Sequence, residues 1–154
     1  MTHSQLIAGT AAAVLIVIGF AQVGDAAPGS TVLKATLAGK YLHTTSTGTG
    51  TATITVTPDK VCWKFSYSGI DTPNISGIHI APPPAAGVHK TSVFPFTAAT
   101  TQAHQCEAPT KWGARGPSWI AKIVANPSHF YVIVGTTKYP QGAIGGPLQT
   151  SSGP

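Results

Sequence analysis

The side chains in this sequence that are suited to chemistry are six histidines, two cysteines and four carboxylates, in a chain of 154 residues. Neutral imidazole binds zinc and copper, and such a site needs three or four ligands converging within about 2.0 to 2.3 Å of the ion. The best ligand pair is His79 and His89, because no His-x-His or His-x-x-x-His pair occurs. His104 or His129 would have to complete the set. We keep weak copper or zinc binding centred on His79 and His89 as an alternative function, and predict no bound cofactor.

The acidic residues are too few and too scattered for hydrolytic catalysis. Glu107 is the only glutamate, and Asp59 and Asp71 fall in predicted turns. The chain therefore has almost no carboxylates that could form the pair of a general acid and a general base. No Gly-x-Ser-x-Gly elbow supports a Ser-His-Asp arrangement either. We predict that the protein is not an enzyme and that it has no catalytic residues.

The two cysteines, Cys62 and Cys106, are predicted to form a disulfide if the chain is exported, as an even pair usually does in an oxidising compartment. Closing the loop of about 44 residues between them would stabilise the fold by about 4 kcal/mol in the chain-entropy model. The alternative is a catalytic thiol activated by His104, which lies two residues before Cys106. That alternative leaves the second thiol unexplained.

The amino-terminal segment predicts export. Residues 6–20 carry no charge and are followed by a small and polar run up to residue 27, which is typical of a secretory signal. We expect cleavage after Ala26, which gives a signal peptide of residues 1–26 and a secreted domain of residues 27–154. The apolar run of about 15 residues is short of the roughly 20 that a spanning helix needs. Because only the amino terminus and His3 supply positive charge, an uncleaved anchor remains the alternative.

The rest of the chain predicts short strands. Residues 49–57 and 61–67 alternate with the two-residue period of half-buried strands, and the tetrad between them is suited to a turn. Residues 130–134 form a strongly β-forming run, and residues 118–125 are spaced for a short helix capped by Ser118. About seven strands with one helix predict an all-β antiparallel sandwich or barrel.

One tryptophan is a candidate contact residue. Trp63 alternates with core residues and Trp119 lies on the apolar side of the predicted helix. Trp112 falls instead in a predicted long loop, residues 97–116, beside Lys111. We therefore expect Trp112 to be an exposed anchor for a partner.

Several short motifs, read in order, resemble a known family. The last of them is the most specific: an aromatic-rich strand followed by Tyr-Pro-x-Gly-Ala-Ile. Over residues 31–148 the chain resembles the CHRD domain, a module named after chordin. The motifs that carry this resemblance are Gly48-Thr49-Gly50-Thr51-Ala52, Val61-Cys62-Trp63, Gly77-Ile78-His79, Ala125-Asn126-Pro127, Phe130-Tyr131-Val132 and Tyr139-Pro140-Gln141-Gly142-Ala143-Ile144, with Gly146 and Leu148. The resemblance implies an immunoglobulin-like, extracellular and non-catalytic domain.

The chain departs from that family at three polar positions. Members often carry His-Ile-His in the middle strand, and Val-His-Thr followed by Ile-Arg-Gly in the last hairpin. Here Gly77, Gly135 and Gly145 stand in place of two histidines and an arginine. If those groups form a polar or metal-binding cluster in relatives, His79 is what remains of it.

These observations together predict a secreted, non-enzymatic binding or structural module. The nine basic residues are scattered rather than clustered, so we predict no nucleic-acid binding. We also predict no stable membrane insertion after signal cleavage. The expected partner is an extracellular or cell-envelope protein or glycan.

Overall fold

The computed structural model describes residues 29–71, 75–83, 92, 94–96 and 104–151. The predicted signal peptide, residues 1–26, lies outside this part of the chain. Among the residues that are described, none of the helices has the length and apolar character needed to cross a bilayer.

The described residues form nine strands, one α-helix and three short 3₁₀ segments. Helix α1, Gly116–Ala125, matches the predicted helix, although Ser118 does not cap it: its Oγ donates to the Arg115 carbonyl at 2.9 Å. Two of the three shortest strands, Gln105–Glu107 and Gln149–Thr150, lie where no alternation was visible in the sequence. The strands are β1 Thr31–Ala38, β2 Thr49–Val56, β3 Val61–Ser68, β4 Ile75–Ala81, β5 Phe94–Phe96, β6 Gln105–Glu107, β7 Tyr131–Thr136, β8 Ile144–Pro147 and β9 Gln149–Thr150, and the 3₁₀ segments are Gly39–Leu42, Pro109–Trp112 and Pro127–His129.

All nine strands belong to one antiparallel sheet that curls into a half-barrel. The strand order is β5-β4-β7-β8-β1-β2-β3-β6, and β9 pairs with β1. Strand β1 joins the two halves, because it pairs with β2 along its whole length and with β8 at Ala38 and Gly145. The predicted all-β antiparallel fold with one short helix is confirmed.

The alternation predicted for β2 and β3 is also present. Ala52 and Ile54 are buried and face Phe65 and Trp63 across the β2–β3 pair. The threonines that alternate with them along β2, Thr51, Thr53 and Thr55, point to the outer face, where they are exposed or half-buried. The turn that joins the two strands is closed by a hydrogen bond of 2.9 Å from the Thr57 amide to the Lys60 carbonyl.

An aromatic cluster closes the mouth of the half-barrel. The Trp63 and Phe65 rings on β3 lie 5.0 and 5.1 Å from the Phe96 ring on β5, although the two strands stand far apart in the sheet order. Trp112 packs edge-on against Trp63 at 6.2 Å, and its indole N–H donates to the Pro95 carbonyl at 2.7 Å. We call Trp63, Phe65, Phe96 and Trp112 the aromatic bridge. At one end of the barrel, Ile120 and Ile123 of α1 are buried in the same core.

Strands β8 and β1 approach each other too closely for any side chain at one glycine. A Cβ at Gly146 would overlap the Thr36 carbonyl oxygen, which is backbone and has no room to move away. Gly113 is the opposite case, since its φ is 73° and no atom lies within 4 Å of the place of a Cβ. An alanine at Gly146 therefore tests steric overlap, whereas an alanine at Gly113 tests an unfavourable backbone conformation.

We expect Gly146→Ala to lower the free energy of unfolding by about 3 kcal/mol or more, because the β1–β8 junction must open to accept the methyl group. Gly113→Ala is the control, and we expect it to lose about 1 to 3 kcal/mol from its backbone conformation alone, since a φ of 73° with a ψ of −173° is a combination that side chains rarely adopt. Urea unfolding followed by circular dichroism measures both. Equal losses in the two variants would contradict the close packing at Gly146.

Trp112→Phe tests the hydrogen bond of the aromatic bridge. The variant keeps an aromatic ring but leaves the Pro95 carbonyl without the indole donor, so we expect a loss of about 1 kcal/mol in the free energy of unfolding. Trp119, which is also half-buried and packs edge-on against Phe130 at 6.5 Å, supplies the control Trp119→Phe. If both variants lose the same amount, the hydrogen bond contributes nothing beyond ring size.

Burial raises the pKa of the Tyr67 phenol above its ordinary value of 10.0. The unfolded chain then ionises first, so the Tyr67 contribution to stability is complete below about pH 10 and is lost as pH rises through the folded pKa. We expect the free energy of unfolding of the wild type to fall more steeply above pH 10 than that of Tyr67→Phe. Denaturant titrations at several alkaline pH values check this, and parallel declines would refute it.

Candidate functional site

Three chain segments meet at the end of the sheet where β1, β3 and β7 end. They are the loop before β2, the turn after β3 and the turn after β7. Between them lies a cleft of about 250 Å³, which we call the hydroxyl cleft. It is lined by Thr45, Ser46, Thr47, Gly69, Ile70, Asp71, Thr136, Lys138 and Tyr139.

The turn after β7 holds Tyr139 in place. The Tyr139 amide donates to Thr136 Oγ1 at 3.1 Å, and the Tyr139 carbonyl accepts from the amides of Thr136 and Gly142 at 3.1 and 2.9 Å. Thr136 is almost fully buried, so this anchor is shielded from water. At the outer end of the side chain, the Tyr139 hydroxyl lies 3.2 Å from Thr45 Oγ1. The ring therefore spans from one wall of the cleft to the other.

Two glycines bring the other two segments together. A Cβ at Gly48 would overlap the side chain of Ile70, and Gly69 adopts a φ of 70°, a conformation that side chains rarely take. The loop before β2 is further tied to the start of β8 by Thr44 Oγ1, which donates to the Ala143 carbonyl at 3.1 Å. Close backbone contact therefore fixes the width of the cleft.

The chemistry of the hydroxyl cleft suits a small polar ligand. Serine, threonine and tyrosine hydroxyls can each donate and accept a hydrogen bond, and the cleft adds one carboxylate, Asp71, and one ammonium group, Lys138. The volume lies below the roughly 300 to 1,000 Å³ of pockets for drug-sized ligands. One sugar ring or one polar side chain is thus the size of group that it fits.

Gly77, Gly135 and Gly145, which replace polar residues of the family, lie together on the outer face of the sheet. Gly77 pairs with Gly135, and Ile133 stands between His79 on one side and Gly145 on the other. A Cβ at Gly145 would come within 2.8 to 3.0 Å of the Val132 carbonyl and the Leu42 side chain.

Leu42, Ala81 and Ile133 are buried together there, with Tyr131 packed against them. A small hydrophobic cluster thus lies beside the place where the resemblance suggested polar groups.

The predicted metal pair gains no support from this geometry. His79 is half-buried on β4, between Pro95 of β5 and Ile133 of β7. His89 lies outside the described residues. Within the described part of the chain, the group of three or more ligand-type side chains that lie close together is Cys62, His104 and Cys106.

The predicted disulfide is present. Cys62 on β3 is paired directly with Cys106 on β6, and their sulfurs are bonded. Two sulfurs in a disulfide do not act as thiolate ligands, so the Cys62, His104 and Cys106 group is not a metal site in this oxidised form. Of the two cysteines, Cys106 is exposed and Cys62 is buried.

The structure places Trp112 differently from the exposed anchor that the sequence suggested. It is half-buried against Trp63, and its indole N–H is engaged by Pro95. Its role as a contact residue stays a prediction. A larger groove of about 540 Å³ lies at the other end of the sheet, mainly between α1 and the β2–β3 turn, with Val56, Ile120 and Val124 in its walls.

The hydroxyl cleft is not predicted by the sequence. Its walls come from three segments: the second begins more than 20 positions after the first ends, and the third more than 60 positions after the second. Isolated threonines and serines do not by themselves indicate a binding site. The one available signal was the Tyr139 to Gly142 turn, which is the most specific of the motifs. That turn supplies the central aromatic ring of the cleft.

Comparison with known proteins agrees with this motif pattern. The family model of the CHRD domain matches residues 33–148, about three quarters of the chain. No curated protein and no solved structure shows a significant match. Since the family model covers most of the chain, including all three walls of the hydroxyl cleft, the chain belongs to the CHRD domain family.

Proposed function

We propose that this protein is a secreted, non-enzymatic binding module whose hydroxyl cleft binds a polyhydroxylated ligand, namely a sugar unit of an extracellular or cell-envelope glycan. The observation that carries the proposal is the convergence of hydroxyl side chains from three segments around the fixed ring of Tyr139. Hydroxyl groups that donate and accept match a ligand that does the same. An aromatic ring adds apolar contact to a sugar face.

The charges in the cleft support a glycan rather than an apolar ligand. Asp71 and Lys138 stand in the same cleft, so it offers both a strong acceptor and a strong donor. Charged groups make stronger hydrogen bonds than neutral ones. Both charges would act on ligand hydroxyl groups, with no requirement that the ligand itself be charged.

An extracellular location is supported by two features. The Cys62–Cys106 disulfide is of the kind that persists in oxidising compartments. The family resemblance points the same way, and the segment 1–26 has the pattern of a cleaved signal peptide.

A non-enzymatic role is supported by the positions of the carboxylates. Asp59 precedes β3 and Asp71 follows it, so the eight residues of that strand separate them by about 26 Å. Glu107 lies 3.4 Å from Lys111 Nζ in an ion pair. Paired-carboxylate catalysis needs two such groups within roughly 5 to 10 Å, both available to the substrate. Asp59 lies two residues before Val61, the strand partner of Glu107, so these two carboxylates are neighbours, but the Glu107 carboxylate is held by Lys111.

Binding to an array of neutral and acidic oligosaccharides tests the proposal. We expect a subset of glycans to bind, and Asp71→Asn and Tyr139→Ala each to weaken that binding by about tenfold, which corresponds to one lost charged hydrogen bond or ring contact. Tyr139→Phe keeps the ring and should lose less.

Asp59→Asn is the matched control, because it makes the same change at the other end of β3 and should leave glycan binding unaltered. A second comparison uses Trp112→Ala, checked for folding by circular dichroism. If folded Trp112→Ala loses binding while Tyr139→Ala retains it, the contact surface is the Trp112 segment and the hydroxyl cleft is not the site.

A further inference from the structure

The Cys62–Cys106 disulfide has a third group beside it with metal-binding chemistry. His104 lies two residues before Cys106, and in an extended chain such residues point to the same face. A ring nitrogen of His104 and the two sulfurs all lie within 4.8 Å of one another. These three side chains form a compact set of two sulfurs and one nitrogen.

We propose that reduction of this disulfide by an external dithiol creates a zinc site formed by Cys62, Cys106 and His104. The dithiol supplies two electrons and two protons, the sulfur–sulfur bond breaks, and two thiols form while the dithiol becomes a cyclic disulfide. Zn²⁺ then binds the two sulfurs as thiolates, releasing their protons to solvent, together with the neutral imidazole. Water fills the fourth position, as in zinc sites with two cysteines and one histidine.

The strand pairing keeps the ligands together once the covalent bond is open. Strand β6 pairs with β3 at three consecutive positions, from Val61 with Glu107 to Trp63 with Gln105. The segment that follows β6 is held by Trp112, which packs on Trp63 and donates to the Pro95 carbonyl. The two cysteines therefore stay opposite each other for reasons that do not depend on their bond.

The exposure of the three groups fits metal entry from solvent. Cys106 and His104 are exposed, whereas Cys62 is only 7% exposed and forms the floor of the site. With bonds of about 2.0 to 2.3 Å, the ligand atoms of a tetrahedral zinc site lie roughly 3 to 4 Å apart. Small rotations of the exposed His104 and Cys106 side chains cover the difference from the present spread of up to 4.8 Å.

The neighbouring carboxylate is not part of the set. Glu107 follows Cys106 directly, so on an extended strand it points to the opposite face, and its carboxylate is paired with Lys111 Nζ. Two thiolates and one imidazole favour zinc over hard cations such as magnesium or calcium. The site would exist only in the reduced protein, because the disulfide removes both thiolates.

Zinc titration of tag-free protein in the two redox states tests the proposal. One sample is reduced with dithiothreitol under anaerobic conditions and desalted, the other is left oxidised, and both are titrated with Zn²⁺ in competition with a chromophoric chelator. We expect one zinc per reduced chain and no zinc in the oxidised chain. Co²⁺ should show a thiolate charge-transfer band in the reduced sample alone.

Two histidine variants locate the site. His104→Ala should weaken zinc binding to the reduced protein by about tenfold or more, because losing a direct ligand costs at least as much as losing an outer-shell partner, roughly 10- to 100-fold. His129→Ala, an exposed histidine elsewhere, should leave it unchanged. Circular dichroism of the reduced protein checks that the strands persist. Reduced protein that unfolds or binds no zinc, equal binding in the oxidised protein, or an unaltered His104→Ala affinity would each overturn the proposal.

Discussion

Trp63 and Phe65 meet Phe96 across the open mouth of the sheet, and the shape of the whole molecule depends on this contact. A sheet of this order has two free edges, β5 and β6, and a curl alone would leave its concave face open to water. The rings lie at centroid distances of 5.0 and 5.1 Å, where aromatic pairs add about 0.5 to 1.5 kcal/mol each beyond their buried area. The aromatic bridge thus converts an open sheet into an enclosed core.

The edge strand β6 and the disulfide reinforce the same junction. Strand β6 has three residues, and its pairing partner β3 carries both Cys62 and the bridge residue Trp63. Covalent, hydrogen-bonding and aromatic contacts therefore act on one short stretch of β3. At the opposite end of the sheet, close glycine contacts and the hydrogen-bonded turn after β7 hold the segments that form the hydroxyl cleft around Tyr139.

How far the sequence predicts this fold depends on whether an element is defined by its own residues or by its neighbours. Strands β2 and β3 are visible as alternation because one face of each is buried along its length. Strand β6 is not visible in the sequence, because three residues are too few to show an alternation of apolar and polar side chains. They form a strand because they pair with β3. Trp112 is a similar case: its neighbour Lys111 suggests exposure, yet the Pro95 carbonyl that binds it lies 17 positions away.

The site follows the same rule. The disulfide was predictable, because the leader pattern predicts export and two cysteines leave one pairing. The hydroxyl cleft was not predictable from the sequence. Its threonines line one cleft only because the close contact of Gly48 with Ile70 and Gly69 brings two separate segments together.

The most direct test of a glycan-binding cleft is a residue-by-residue map of where a ligand contacts the folded protein. Nuclear magnetic resonance of ¹⁵N-labelled protein, titrated with soluble cell-wall oligosaccharides, supplies it. Glycan binding in the hydroxyl cleft predicts saturable amide shifts confined to residues 45–47, 69–71 and 136–139. Shifts centred on α1 or on the segment around Trp112, or no shifts with any oligosaccharide fraction, would contradict it.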